Sequence, residues 1–164
     1  MEPLAHASIG LMAKPIAPKA PLWALIAATQ VPDLLYFGFN AAGIEDPGVS
    51  TTDFTRGLVT STLPFYPWSH GLLMCIVWSL VVAAIAFLLS RDHRTSLVIG
   101  AMVFSHWVLD FIVYSTLPLF FDNSHLLGLG LLNSGPGLVL GIILEISLIA
   151  GGIIIYGLTK REKC

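Results

Sequence analysis

Charged side chains are scarce in this chain. Asp, Glu, Lys and Arg together make up 11% of its 164 residues, whereas a soluble domain carries about a quarter. With 55% hydrophobic residues and a mean hydropathy of +0.83, the composition excludes an ordinary soluble domain and points to a membrane protein. There is no basic tract, so nucleic-acid binding is not expected. Cysteine is nearly absent. Cys75 lies in an apolar run and Cys164 stands at the end, which excludes a disulfide framework. A cleavable leader is also not expected, since Met-Glu-Pro-Leu-Ala-His6 has no basic n-region and the apolar stretch to Ala13 is too short to span. No long-period repeat is visible.

What the chain has is long apolar runs. Four reach the roughly 20 residues a bilayer requires: 21–42, 70–90, 97–119 and 137–158. We expect an all-α bundle of four transmembrane helices plus a short N-terminal helix, forming one integral membrane domain over residues 1–164. Lys14, Lys19, Arg91, Arg94, Lys160, Arg161 and Lys163 fall in one set of connections and Arg56 alone in the other. The positive-inside rule then places both termini in the cytoplasm, in what we expect to be a prokaryotic cytoplasmic membrane. Residues 4–13 either dip into the membrane or lie along its surface. Thr95 or Ser96 is the expected cap of the third span. The outer loop 43–67 is expected to cover the outer mouth, and loop 120–136 to form a partly ordered lid or re-entrant segment.

Against this apolar background a few titratable residues stand out. His106 and Asp110 are four residues apart, which on a helix puts them on one face with Cβ atoms about 6 Å apart. An ionised Asp at the bilayer centre costs on the order of 3 kcal/mol even on translocon scales. Such residues need a metal ion, a proton or each other. Asp33 follows Pro32, which bends its helix by denying Ala28 a hydrogen bond. It lies about 18 Å along the first span. His70 opens the second span. Asp33, His70, His106 and Asp110 can share one level in the outer half of the membrane. His6 reaches that level only if its segment enters as a half-helix. Imidazoles and carboxylates together form the ligand set of a zinc-type divalent site.

Each residue also has a purely structural alternative. Asp33 can bond Gln30 or backbone, His70 can be interfacial, and His106–Asp110 can be a neutral pair. Glu145, near the middle of the fourth run, and His125, in the second outer loop, are candidates for acid/base work. His93, between two arginines, reads as solvated. Gly141, Gly151 and Gly152 allow close helix packing.

His6, Val31-Pro-Asp33, Trp68-Ser-His70-Gly and Ser105-His106 with Asp110 resemble the membrane-bound metal-dependent hydrolase family. Its pattern is an early His, then Leu-Pro-Asp-x-Asp, His-Arg-Gly-x-Thr-His-Ser and His-x-x-x-Asp. Gly128-Leu-Gly-Leu-Leu-Asn133 resembles a segment that follows the third motif in a subgroup of such proteins. The family is distantly similar to zinc-dependent phospholipase C, which implies phosphoester hydrolysis. Leu35 stands where the pattern has a second Asp, and Phe65 where it has a first His. The remaining five residues imply one metal, or at most two. The resemblance implies a divalent-metal hydrolase acting on a phosphoester of a lipid or lipid-linked substrate. The metal, zinc for preference, would be held by His6, Asp33, His70, His106 and Asp110. A small proton- or ion-coupled transporter and a non-catalytic scaffold are the alternatives; homo-oligomerisation stays open.

Overall fold

The computed structural model describes residues 3–46, 48, 50–53, 58–61, 66–121 and 125–161. In chain order it comprises α1 (Pro3–Ala13), α2 (Leu22–Thr29), α3 (Val31–Ala41), β1 (Ser50–Asp53), β2 (Leu58–Ser61), α4 (Pro67–His70), α5 (Leu72–Ser90), α6 (His93–Val113), β3 (Leu117–Pro118), β4 (Leu126–Leu127), a 3-10 turn (Leu131–Asn133) and α7 (Gly135–Arg161). The chain is mostly helical. Among the described residues three helices, α5, α6 and α7, are long and apolar enough to cross a membrane; α2 and α3 make a fourth if the bent pair counts as one span.

That bend is larger than a proline kink. Pro32 sits in the first turn of α3 and has no N–H to return to α2. The two helices meet at Gln30 with their axes turned by 50°. The Gln30 N–H bonds the Ala27 carbonyl and its carbonyl accepts from Leu34 N–H, both at 3.0 Å. The break leaves carbonyls at the end of α2 outside a continuous helical ladder.

The structure corrects several boundaries. The second run begins as a helix only at Leu72, after the single turn of α4. The third starts at His93 and is capped by Asp92, not by Thr95 or Ser96: the Asp92 carboxylate accepts from Thr95 N–H at 2.9 Å. It ends at Val113, so 114–119 are not helical. Leu117 and Pro118 instead pair antiparallel with Leu127 and Leu126. The loop containing Gly128 folds over the end of α6. Leu129 N–H bonds Phe111 O at 2.7 Å, and Gly130 N–H bonds Tyr114 O at 3.1 Å. Gly128 has φ +133, and a Cβ there would collide with the Tyr114 carbonyl, so the Gly-Leu-Gly sequence is what lets this loop close on the helix. The second small ribbon pairs β1 with β2, Ser50 opposite Ser61. Phe65 lies outside the described residues.

The short N-terminal helix packs between α2 and α7. It runs antiparallel to α2: Gly10 lies against the backbone of Leu25 and Ile26, and the Gln30 amide donates to Pro3 O at 3.2 Å. On its other side Gly152 of α7 lies against Ser8. Pro3 therefore sits beside the Gln30 break, at the opposite end of α1 from Lys14. Lys14 and Lys19 lie in the turn between α1 and α2, and Lys19 Nζ reaches Asp92 Oδ1 at 2.7 Å, joining that turn to the one between α5 and α6.

Helix α6 is the centre of the fold. Its Ile99, Met102 and Val103 pack with Ala13, Ala17, Ala20, Leu25, Ala28 and Ala86. Higher up, Trp107 packs with Cys75 and Leu117. By contrast α5 buries only Cys75 and Ala86, and α7 only Gly137, Gly141 and Gly152. Leu80, Leu89, Ile146 and Ile153 are more than half exposed. Such faces suit lipid, not water.

Candidate metal centre

Four elements deliver five side chains to one cluster. Helix α6 carries His106 and Asp110 on one face, with Nε2 and Oδ2 3.3 Å apart. Helix α1 brings His6, whose ring stacks on His106 at 3.7 Å between centroids and 10° between planes; its Nε2 is 3.4 Å from Asp110 Oδ1. Asp33 comes from the first turn of α3, and its Oδ1 lies 3.5 Å from His106 Nε2. His70, the last residue of α4, places Nε2 3.4 Å from Asp33 Oδ1 and 3.7 Å from Asp110 Oδ2. Packing of α1 against α2 and α7 is what brings His6 to the cluster.

The hydrogen bonds on the far sides of two rings fix which nitrogen faces the centre. His106 Nδ1 is 2.7 Å from the Thr29 carbonyl. A carbonyl only accepts, so Nδ1 carries the proton, and in the neutral ring Nε2 offers a lone pair. The Gln30 break makes that carbonyl available. His70 Nδ1 is 2.8 Å from Ser69 Oγ, whose own hydroxyl donates to Glu45 Oε2 at 2.7 Å. Ser69 must then accept from His70 Nδ1–H, which in the neutral ring leaves the His70 Nε2 lone pair inward. A carboxylate or carbonyl behind a ligating imidazole is the usual way a protein sets ring orientation and tautomer.

Two inward lone pairs thus face two carboxylates. These groups repel unless a positive charge lies between them. The spacings discriminate between charges. Charge-assisted N–H···O bonds run about 2.7–2.9 Å, and the His70 and His106 separations of 3.3–3.7 Å are longer. His106 Nε2 has no hydrogen-bond partner among the described residues, although it is buried. Ligand atoms around a tetrahedral zinc, with bonds of 2.0–2.1 Å, lie about 3.3 Å apart. The observed spacings are close to that value.

Ligand atoms converge in two groups, His6–His106–Asp110 and Asp33–His70–His106, each within 4.8 Å. This buried His/Asp cluster could hold a metal ion. His106 belongs to both, but its one inward nitrogen can serve one ion. Asp110 turns Oδ1 to His6 and Oδ2 to His70 and His106. The cluster opens on one side. The side chains of His6 and His106 are 1% exposed and Asp110 5%, but Asp33 is 30% exposed. Tyr36 and Tyr66 stand edge-on to His70, at 5.9 and 5.6 Å between centroids. Burial raises the pKa of the Tyr66 hydroxyl, against the pull of its bond to Thr116, so it stays a neutral phenol.

Glu145 and His125 belong to neither group. Glu145 lines a cavity of about 240 Å³ with Val113, Tyr114, Leu132, Leu138, Gly141 and Ile142. The His125 side chain is exposed, while its carbonyl accepts from Leu119 N–H at 3.0 Å. His93 stacks on Phe87 at 4.5 Å in the turn between α5 and α6. Leu35, half-buried on α3, supplies no ligand. Sequence reasoning passed over Ser69, Glu45 and the Thr29 carbonyl. Ser69 had a signal in its place beside His70; Glu45 had none.

No protein-family model matches the chain, and neither a curated protein nor a solved structure matches it.

Proposed function

We propose that this chain is a membrane-embedded, divalent-metal-dependent hydrolase acting on a phosphoester of a lipid-like substrate. The observation that carries it is the convergence of His70 and His106 lone pairs on the Asp33 and Asp110 carboxylates at 3.3–3.7 Å. His6, Asp33, His70, His106 and Asp110 are the metal ligands in this reading, and their nitrogen and carboxylate donors suit zinc. A bound divalent ion supplies a water acidified to a pKa of about 7 and a Lewis-acid contact for a phosphoryl oxygen. The chain does the rest. Thr29 and Ser69 hold two rings in the ligating tautomer, buried His6 and Asp110 close the inner side, and half-buried Asp33 marks the side of entry. Glu145 and His125 are kept as acid/base candidates that substrate would have to bring to the cluster.

Depth in the membrane supports the lipid part. His106 lies 13 residues beyond His93, the first residue of α6, or about 20 Å along the helix axis. Lys14, Lys19, Arg91 and Arg94 gather at the Asp92 end, and Lys160 and Arg161 close α7. The positive-inside rule puts these residues in the cytoplasm. The cluster then lies in the outer half of the bilayer, with Pro3 at similar depth and the end of α7 inside. A site there is reached most readily by a membrane lipid.

The test is the metal content of detergent-purified protein, wild type against His106→Ala, together with release of phosphate or alcohol from a short-chain phospholipid. Stoichiometric metal and turnover in the wild type, both lost in the variant, are expected. Equal, negligible metal in both removes the reading.

A further inference from the structure

Glu45 lies in the turn after α3, outside both ligand groups, yet it is 4% exposed. Its Oε1 accepts from the backbone N–H groups of Trp68 and Ser69, each at 2.8 Å, and Oε2 accepts from Ser69 Oγ–H at 2.7 Å. Ser69, 0% exposed, then accepts from His70 Nδ1–H. The turn that carries Glu45 is itself tied to the end of α3: Ile44 and Glu45 N–H groups bond the Phe39 carbonyl at 2.8 and 3.3 Å, and the Asn40 amide donates to Glu45 O at 3.3 Å.

We propose that Glu45, acting through Ser69, is a positioning residue that fixes the His70 ring with its Nε2 lone pair toward Asp33 and Asp110. The metal-affinity part of this inference rests on the metal-centre reading above; the tautomer part stands apart from it. A carboxylate at position 45 only accepts, so every donor in the chain Ser69–His70 points outward from the centre. The same carboxylate ties the Asp33-bearing helix to the His70-bearing turn, so two ligands from separate elements share one support. An amide at position 45 reverses the chain. Its NH2 donates to Ser69 Oγ, the Ser69 hydroxyl turns to donate to His70 Nδ1, and the ring proton moves to Nε2, where it blocks ligation. Turning the amide the other way sets its NH2 against two backbone N–H donors. Both arrangements cost the site.

The experiment uses the full chain in detergent, as wild type, Glu45→Gln and Ser69→Ala, with ring-15N-labelled histidine and with Co²⁺ as the metal probe. In metal-free protein, 15N shifts are expected to report the Nδ1–H form of His70 in the wild type and the Nε2–H form in Glu45→Gln. His106, held by Thr29, is expected to keep its Nδ1–H form in all three. For Co²⁺, affinity is expected to fall about 10- to 100-fold in both variants, with a changed visible absorption. Ser69→Ala keeps the Glu45 bonds to the backbone and so tests the link even if Glu45→Gln misfolds. An unchanged His70 tautomer in Glu45→Gln, or a Co²⁺ affinity and spectrum in Ser69→Ala matching the wild type, overturns the proposal. A wild type that binds no Co²⁺ while its His70 tautomer still switches with Glu45→Gln overturns the metal reading and leaves the positioning role supported.

Discussion

Gly152 is the point at which α7 holds α1, and with it His6, in place. A Cβ built at this position would lie 2.8 Å from Ser8 O and 3.0 Å from Ser8 Cβ. Ordinary contact begins near 3.4 Å, so α1 must withdraw by about 0.6 Å or the added methyl must be absorbed as strain. Neither neighbour can yield easily, because one is backbone and the other a Cβ. Overpacking of this kind costs about 1–3 kcal/mol, from which about 1 kcal/mol is recovered through the better helix propensity of Ala. Gly152→Ala is therefore expected to lower stability by up to about 2 kcal/mol and to move His6, two residues from Ser8, off the His106 ring. Gly157→Ala is the control, since nothing lies within 4 Å of a Cβ there; it gains propensity without the clash. The assay is thermal unfolding in detergent combined with Zn²⁺ titration. Gly152→Ala is expected to lose both melting temperature and Zn²⁺ affinity, with Gly157→Ala at or above wild type in both. Equal melting temperatures for the two variants would refute the claim that the α1–α7 contact is close and sets the His6 position.

Asp110→Asn removes the carboxylate that faces three imidazoles, and is expected to reduce Zn²⁺ affinity more than Asp33→Asn, which faces two; proteoliposome ion flux abolished by Asp110→Asn without any hydrolysis would favour a transporter instead. Added Zn²⁺ at about 1,000 times its Kd is expected to stabilise the wild type by about 4 kcal/mol, and a chelator to reverse this, as read by melting temperature. The Asp92 carboxyl is held below the usual carboxylate range by its bonds to Lys19 and Thr95. Its contribution is fully present above the ordinary carboxylate range and is lost as pH falls through the native value. Asp92→Asn is thus expected to flatten the acid limb of a melting-temperature–pH profile while leaving Zn²⁺ affinity unchanged.

How much of this was legible in the sequence differs from residue to residue. His106 and Asp110 sit on one helix, where spacing alone fixes their relation; His70 opens its span and Asp33 lies past the middle of its own, at depths that charge and length suggest. His6 was conditional, because whether a helix of eleven residues enters a membrane depends on partners that accept it. Gly10 and Gly152 let α1 pack closely against α2 and α7, and the sequence shows them only as small residues. The end of α6 at Val113 was not legible, since hydropathy does not separate helix from strand in a continuous apolar run through Leu119. The Gln30 break exceeded the expected bend because Pro32 sets a lost hydrogen bond, while the final angle depends on how α3 packs. Glu45 had no local signal at all: its burial arises from a turn on one element meeting backbone N–H groups on another.

A cation joining side chains from α1, α3, α4 and α6 is what the proposed chemistry requires. The most direct measurement is anomalous scattering at the zinc edge from crystals of the wild-type protein grown with Zn²⁺. A peak is expected within the cluster formed by His6, Asp33, His70, His106 and Asp110. Crystals that show no peak there, with imidazoles and carboxylates drawn together to ordinary hydrogen-bond distance, would contradict it.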